Sequence, residues 1–293
     1  MTNITWLTQR LALGTAQFGL AYGINNKYGQ PPLATVIEVL TEARAAGLMM
    51  LDTAAAYGDS EARLGKLDTS DFEMVTKISV GSPAEVDKQL NASLIRLRRK
   101  SVYGVLFHSF GPLCEQLAAW KALQEARAKG QTKRIGVSLY HPFEAEWILT
   151  KNLDVDLVQL PYSVLDQRFE QLLPKLTERG IEVHIRSAFL QGLLLCEPAI
   201  LPPFFQPLAP KLAQMRVVAA AAAVPLPALL LLFAATAPGV ARVVIGVDSA
   251  INLRENLSAA AYLSRAEAWR PALATLAEAT DTFILPYTWP PRL

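Results

Sequence analysis

The chain has 293 residues, 52% of them hydrophobic and 18% charged, with 28 basic side chains against 26 acidic ones and a net charge of +2. A balance this close to neutral, with no run of like charge longer than Arg98-Arg99-Lys100, lacks the basic footprint of a nucleic-acid-binding protein. Cys114 and Cys196 stand apart from each other and from any CxxC or Cys/His spacing, which argues against a metal site or a disulfide framework and suits a reducing compartment. The opening MTNITWLTQRLALG has no basic segment followed by a long apolar stretch and a small-residue cleavage site, so a cytoplasmic location is expected.

Taken in chain order, short apolar runs alternate with helix-period segments, as repeated βα units around a parallel sheet do. Strands are predicted over residues 11–14, 49–52, 74–77, 104–108, 134–138, 157–160, 182–186 and 243–246. Helices are predicted over 33–46, 84–97, 115–129 and 171–179, with Gly47, Gly130 and Gly180 where helix C-caps belong. The proline-rich LPPFFQPLAP follows the seventh strand. Residues 217–237 are apolar throughout and about long enough to span a bilayer, but Pro225 and Pro227 cut the stretch, so two helical pieces packed on the sheet are expected instead of a span. Strands buried on both faces account for the high apolar content.

Four residues at or just beyond strand ends carry the chemistry: Asp52 and Tyr57 in LDTAAAYG, Lys77 in VTK and His108 in LFHS. A phenol with a pKa of about 10 holds its proton too tightly to be an efficient acid near neutrality. A nearby ammonium lowers that pKa, and a carboxylate paired with the ammonium keeps it charged and in place. Lys77 and Asp52 fit those roles beside Tyr57. An imidazole donor orients a carbonyl and hydrogen-bonds its oxygen as charge develops there, and His108 is the candidate. Each residue taken alone also reads as an ordinary cap, strand end, loop aromatic or buried histidine; it is their joint occurrence after successive apolar runs that points to an oxidoreductase. Catalytic groups of (β/α)₈ barrels come from those C-terminal strand ends and the loops that follow.

These motifs, together with LALGTAQFG, KRIGVSLY, DLVQLPYS, VHIRSAFLQGLL and IGVDSAINLRENL, resemble the aldo-keto reductases, in the family's order over nearly the whole chain. The resemblance implies an α/β fold, a (β/α)₈ TIM barrel forming one domain over residues 1–293. It also implies reduction of an aldehyde or ketone, or the reverse oxidation, with Tyr57 as proton donor, Asp52 and Lys77 as its tuning pair and His108 orienting the carbonyl. For the cofactor it implies Gly14, Thr15 and Asp52 among the contacts, Ser138 and Gln159 on the carboxamide, and Ser187, Phe189, Gln191, Gly192 and Leu193 around the pyrophosphate. Gly246, Asp248, Ser249, Asn252, Glu255 and Asn256 then match the adenosine segment. Physically, Gly192 lets the backbone approach a phosphate closely.

Two positions depart from the family pattern. Arg186 stands where many members place an aromatic ring against the nicotinamide; its planar guanidinium also stacks, but adds a charge. Asp248 stands where many carry a basic residue for the 2′-phosphate, and an acid there disfavours that phosphate and accepts from a free ribose hydroxyl. NADP(H) is the family default and NAD(H) its competitor. The expected partner is a small-molecule carbonyl substrate, with no nucleic acid and no membrane. The alternative is a nucleotide-binding regulatory or redox-sensing protein on the same fold with little turnover. A phosphate-binding barrel isomerase lacks support, because the pyrophosphate loop comes with a separate adenosine segment. Phe18, Tyr22, Phe110, Tyr140 and Trp147 are candidates for the substrate pocket, and the tail TDTFILPYTWPPRL either closes over the site or covers the barrel.

Overall fold

The computed structural model describes residues 1–24, 26 and 29–290. Eight parallel strands close into a barrel in sequence order: β1 (Leu11–Gly14), β2 (Met50–Asp52), β3 (Glu73–Ile78), β4 (Val102–Phe107), β5 (Thr132–Ser138), β6 (Leu157–Pro161), β7 (Glu182–Arg186) and β8 (Arg242–Gly246), with β8 pairing back onto β1. The predicted strands 11–14 and 182–186 match residue for residue, and the others differ at their ends. His108 lies one residue past β4, where its N–H still bonds to Ile78 O at 2.8 Å.

Side chains alternate across each strand. Ala12, Met50, Val75, Leu106 and Leu157 form a small apolar layer inside the barrel, apart from the large core between strands and helices. Gly136 belongs to this interior because the neighbouring strand comes so close that a Cβ would lie 1.7 Å from Leu157 O. Toward the N-terminal ends of the strands, Glu182 accepts from Tyr103 Oη at 2.6 Å and pairs with the buried His184 at 2.7 Å. Burial opposes the Glu182 charge, but His184 and Tyr103 outweigh it and hold its carboxyl down at about 2. At the opposite, C-terminal ends lie the buried Asp52, Lys77, Ser138 and Gln159.

The helix Leu33–Ala46 ends at Gly47 (φ 77°), and Gly130 and Gly180 sit at φ 74° and 73° just after their helices, the left-handed geometry glycine adopts without strain. The predicted helix 115–129 divides into Gly111–Glu115 and Leu117–Ala128, because Gln116 leaves the helical region at φ −128°, ψ 57°. The apolar stretch around residue 225 breaks at Ala223 (φ 51°) into Ala209–Ala222 and Leu226–Ala235. The helical segments on either side of that break are bent by 94°, and among the described residues no single helix is long and apolar enough to cross a membrane. Helix Leu226–Ala235 is buried on every side from Ala228 to Ala235.

Candidate active site

The loop after β2 returns the chain to the mouth of the barrel, and two glycines set where it lies. A Cβ on Gly19 would fall 1.8 Å from Tyr57 O, and one on Gly58 (φ 53°) would fall 2.2 Å from Gly19 O. The Tyr57 backbone therefore rests directly on the turn after β1, and the phenol is turned to the cavity.

Lys77 is 1% exposed and reaches up from β3 to donate to Asp52 Oδ1 at 2.5 Å, Thr53 O at 3.2 Å and Tyr57 Oη at 3.4 Å. The second Asp52 oxygen accepts from Gln159 Nε2 at 2.8 Å, so both carboxylate oxygens are engaged. Burial works against the ammonium, but Asp52 and Tyr57 together outweigh it and hold the Lys77 pKa above its usual value. Tyr57 departs from expectation. Burial raises its pKa more than Lys77 lowers it, so the phenol ends above its ordinary value and keeps its proton across the neutral range. The ammonium limits that rise without reversing it, because burial is the larger effect and Asp52 adds to it.

The His108 ring stands edge-on to Tyr57 with centroids 5.6 Å apart. Burial first, then Lys77 and Arg186, lower its pKa to about 4, so the imidazole is neutral at physiological pH. This has a sign for stability. As pH falls from about 6.5, the unfolded state takes up the proton first, so stability is lost progressively down to the folded value near 4. The full loss is about 3 kcal/mol at one-unit increments of 1.36 kcal/mol, with no dependence above pH 6.5. Urea unfolding of wild type and His108→Gln across that window measures it; equal pH slopes in the two proteins would refute the assignment.

These groups open on a cavity of about 470 Å³. Of the residues named from sequence, Gly14, Thr15, Asp52, Tyr57, Gln159, Arg186, Ser187, Phe189, Gln191, Gly192, Gly246, Asp248, Ser249, Asn252, Glu255 and Asn256 line it. Lys77, His108 and Ser138 stand behind or beside that lining, and the Leu193 side chain is packed in the large core. Sequence reasoning missed Gln17, whose amide lies over Gly246 so closely that a Cβ there would fall 2.2 Å from its Nε2. Its place directly after the β1 end, within LGTAQFG, was the available signal.

Of the aromatic candidates, Tyr22 lines the cavity and Tyr140 backs Arg186, whereas Phe18 and Phe110 are buried in the core and Trp147 packs on Phe110 at 5.4 Å. Burial, then Tyr57, push the Tyr22 hydroxyl up to about 12. The tail covers the barrel mouth at one side, with Tyr287 against Tyr140 at 4.9 Å and bonded to His141 Nε2 at 3.1 Å.

The walls suit an elongated polar ligand. Ser187, Leu190, Gln191 and Gly192 all have positive φ, a strained run of the kind that clusters at ligand clamps. Opposite it, Ser249 caps the helix Ala250–Ser258 by accepting from Asn252 N at 3.2 Å, and Asn252 Nδ2 donates to Glu255 at 3.3 Å. Helix N-termini and left-handed backbone turns receive phosphates through their amide donors. A dinucleotide cofactor fits this donor set.

The fold is a (β/α)₈ barrel with a polar cavity at the C-terminal ends of its strands. The profile of the aldo/keto reductase family matches residues 10–270, and the chain belongs to that family, whose members generally use nicotinamide cofactors. Among solved structures, the fold is similar to the holo form of aldo-keto reductase AKR11C1 from Bacillus halodurans, at 22% identity and a TM-score of 0.77, covering 92% of this chain and 93% of that one. It is also similar to PA4992 of Pseudomonas aeruginosa, described as a putative aldo-keto reductase, at 21% identity and a TM-score of 0.68, covering 87% and 90%. Comparison with curated proteins gives no match.

Proposed function

We propose that this protein reduces an aldehyde or ketone with a nicotinamide cofactor, or runs the reverse oxidation, with Tyr57 as the proton donor. The observation that carries this reading is the buried chain Gln159–Asp52–Lys77–Tyr57, which ends in a phenol on the cavity wall. A bound reduced nicotinamide supplies the hydride. Tyr57 holds the proton at its Oη until negative charge grows on the substrate oxygen, and the Lys77 ammonium then stabilises the phenolate left behind. Asp52 keeps Lys77 charged inside the protein, and Gln159 fixes Asp52. His108, neutral, donates a hydrogen bond to the carbonyl oxygen without placing a second charge beside Lys77. Loss of reduced-cofactor absorbance with a panel of aldehydes tests the reading. Tight cofactor binding with no turnover on the panel would assign the chain to sensing instead.

For the cofactor, Asp248 and Glu255 give the adenosine end two carboxylates, and among the described residues lining the cavity the basic side chain is Arg186, on the β7 end. Arg254 turns outward and pairs with Glu42 at 2.6 Å. Affinity for a 2′-phosphate normally comes from charge-assisted bonds to Arg or Lys. NADPH and NADH are therefore expected to bind within about tenfold of each other, or 1.4 kcal/mol. Asp248→Lys shifts the preference toward NADPH. Dissociation constants for both reduced cofactors check this, and a wild-type NADPH preference above about a hundredfold would sink it.

A further inference from the structure

Among the described residues, the reacting end of the cavity carries one charge with no ion-pair partner. Asp52 and Lys77 cancel each other at 2.5 Å, and Tyr57, Tyr22 and the neutral His108 add none. Arg186 remains. It ends β7, lines the cavity with Tyr57, and its charge is felt at Tyr57, His108 and Tyr22. Among the described residues no carboxylate forms an ion pair with it: Nη1 donates to Ser187 Oγ at 3.4 Å and Nη2 to Leu139 O at 3.1 Å, both neutral acceptors. One face of the guanidinium lies on Tyr140, 4.2 Å from the ring centroid, which fixes its plane. A guanidinium has five N–H donors, so Nε–H and further N–H groups stay available in a fixed orientation.

We infer that Arg186 selects carbonyl substrates that carry a carboxylate, which its guanidinium binds at the reacting end of the cavity. This rests on the carbonyl-reductase reading above and names its substrate class. A carboxylate is the planar acceptor that matches the guanidinium fork in two parallel bonds, and half-buried charged bonds of this kind discriminate strongly against a neutral analogue. Among the described residues lining the cavity, Asp248 and Glu255 lie at the adenosine end and the basic side chain, Arg186, at the reacting end.

The test compares oxo acids with their own methyl esters, 4-oxobutanoate and methyl 4-oxobutanoate first, together with phosphorylated and unphosphorylated glyceraldehyde. In the wild type, kcat/KM for the acid should exceed that for the ester by about tenfold or more, the scale of a charge-assisted pair. Arg186→Met should bring the ratio to about one, and Arg186→Lys, which keeps the charge but loses the fork, should retain part of it. Fluorescence titration with the reduced cofactor is run on each variant. The inference is overturned by a wild-type ratio near one, by a ratio that survives Arg186→Met, by a preference for the phosphorylated aldehyde over the acids, or by a loss of cofactor affinity that accounts for the whole change. If neutral aldehydes turn over and acids do not, it falls while the reductase reading stands. If nothing on the panel turns over, that reading falls as well.

Discussion

Tyr57→Phe is expected to lower kcat for aldehyde reduction by about a hundredfold or more, the usual scale for a positioned acid, while cofactor affinity stays nearly constant. The substitution removes one oxygen, which meets Lys77 Nζ at 3.4 Å, and leaves the ring that stands against His108 and over the ammonium. The loss should therefore appear in kcat and not in fold stability. A mutant with wild-type kcat would remove Tyr57 from the chemistry, and a mutant that fails to bind cofactor would move it from the acid role to the binding wall.

Lys77→Met should be damaging twice over. It strips the positive charge that stabilises the phenolate, and it leaves Asp52, whose side chain is only 3% exposed, as a buried carboxylate without its cation. Removing one partner of a buried pair costs about 3–5 kcal/mol, far more than the pair contributes relative to a neutral replacement. Adding Asp52→Asn to Lys77→Met should recover most of that stability without recovering turnover, because the amide still bonds to Gln159 and no longer needs a counter-charge. Denaturant midpoints for the two singles and the double give the coupling. Equal stability of Lys77→Met and wild type would show that the buried pair does not contribute to the fold in this way.

The barrel was legible in the sequence because each strand is a short apolar run with a turn or helix signal on both sides, and 11–14 and 182–186 could be read to the residue. The tetrad was legible because its members close or follow such runs. What local pattern does not carry is contact between distant loops. Tyr22 joins the cavity because the loop after β1 crosses to the turn after β7, where Ile24 N bonds to Gln191 O at 2.9 Å. Phe18 and Phe110 follow strand ends just as Tyr22 does, yet they pack inward. An aromatic residue in a βα loop has no periodicity to say which way it turns. The direction of the Tyr57 shift was likewise hidden, since it depends on how deeply the phenol is covered and not on which charges are its neighbours.

Helix Leu226–Ala235 has a consequence for the birth of the molecule. Buried on all sides in the finished structure, it is covered by the later segments Ala250–Ser258, Ala259–Arg265 and Ala266–Ala274. All three are made after the helix, and at about 5–20 residues per second the rest of the chain takes several seconds to follow. Through that interval a leucine-rich segment that lacks most of its cover is open to chaperones and to aggregation. Deleting the chain after residue 249 leaves all eight strands in place but should yield an insoluble product, with the fault lying in the uncovered helix and not in the barrel.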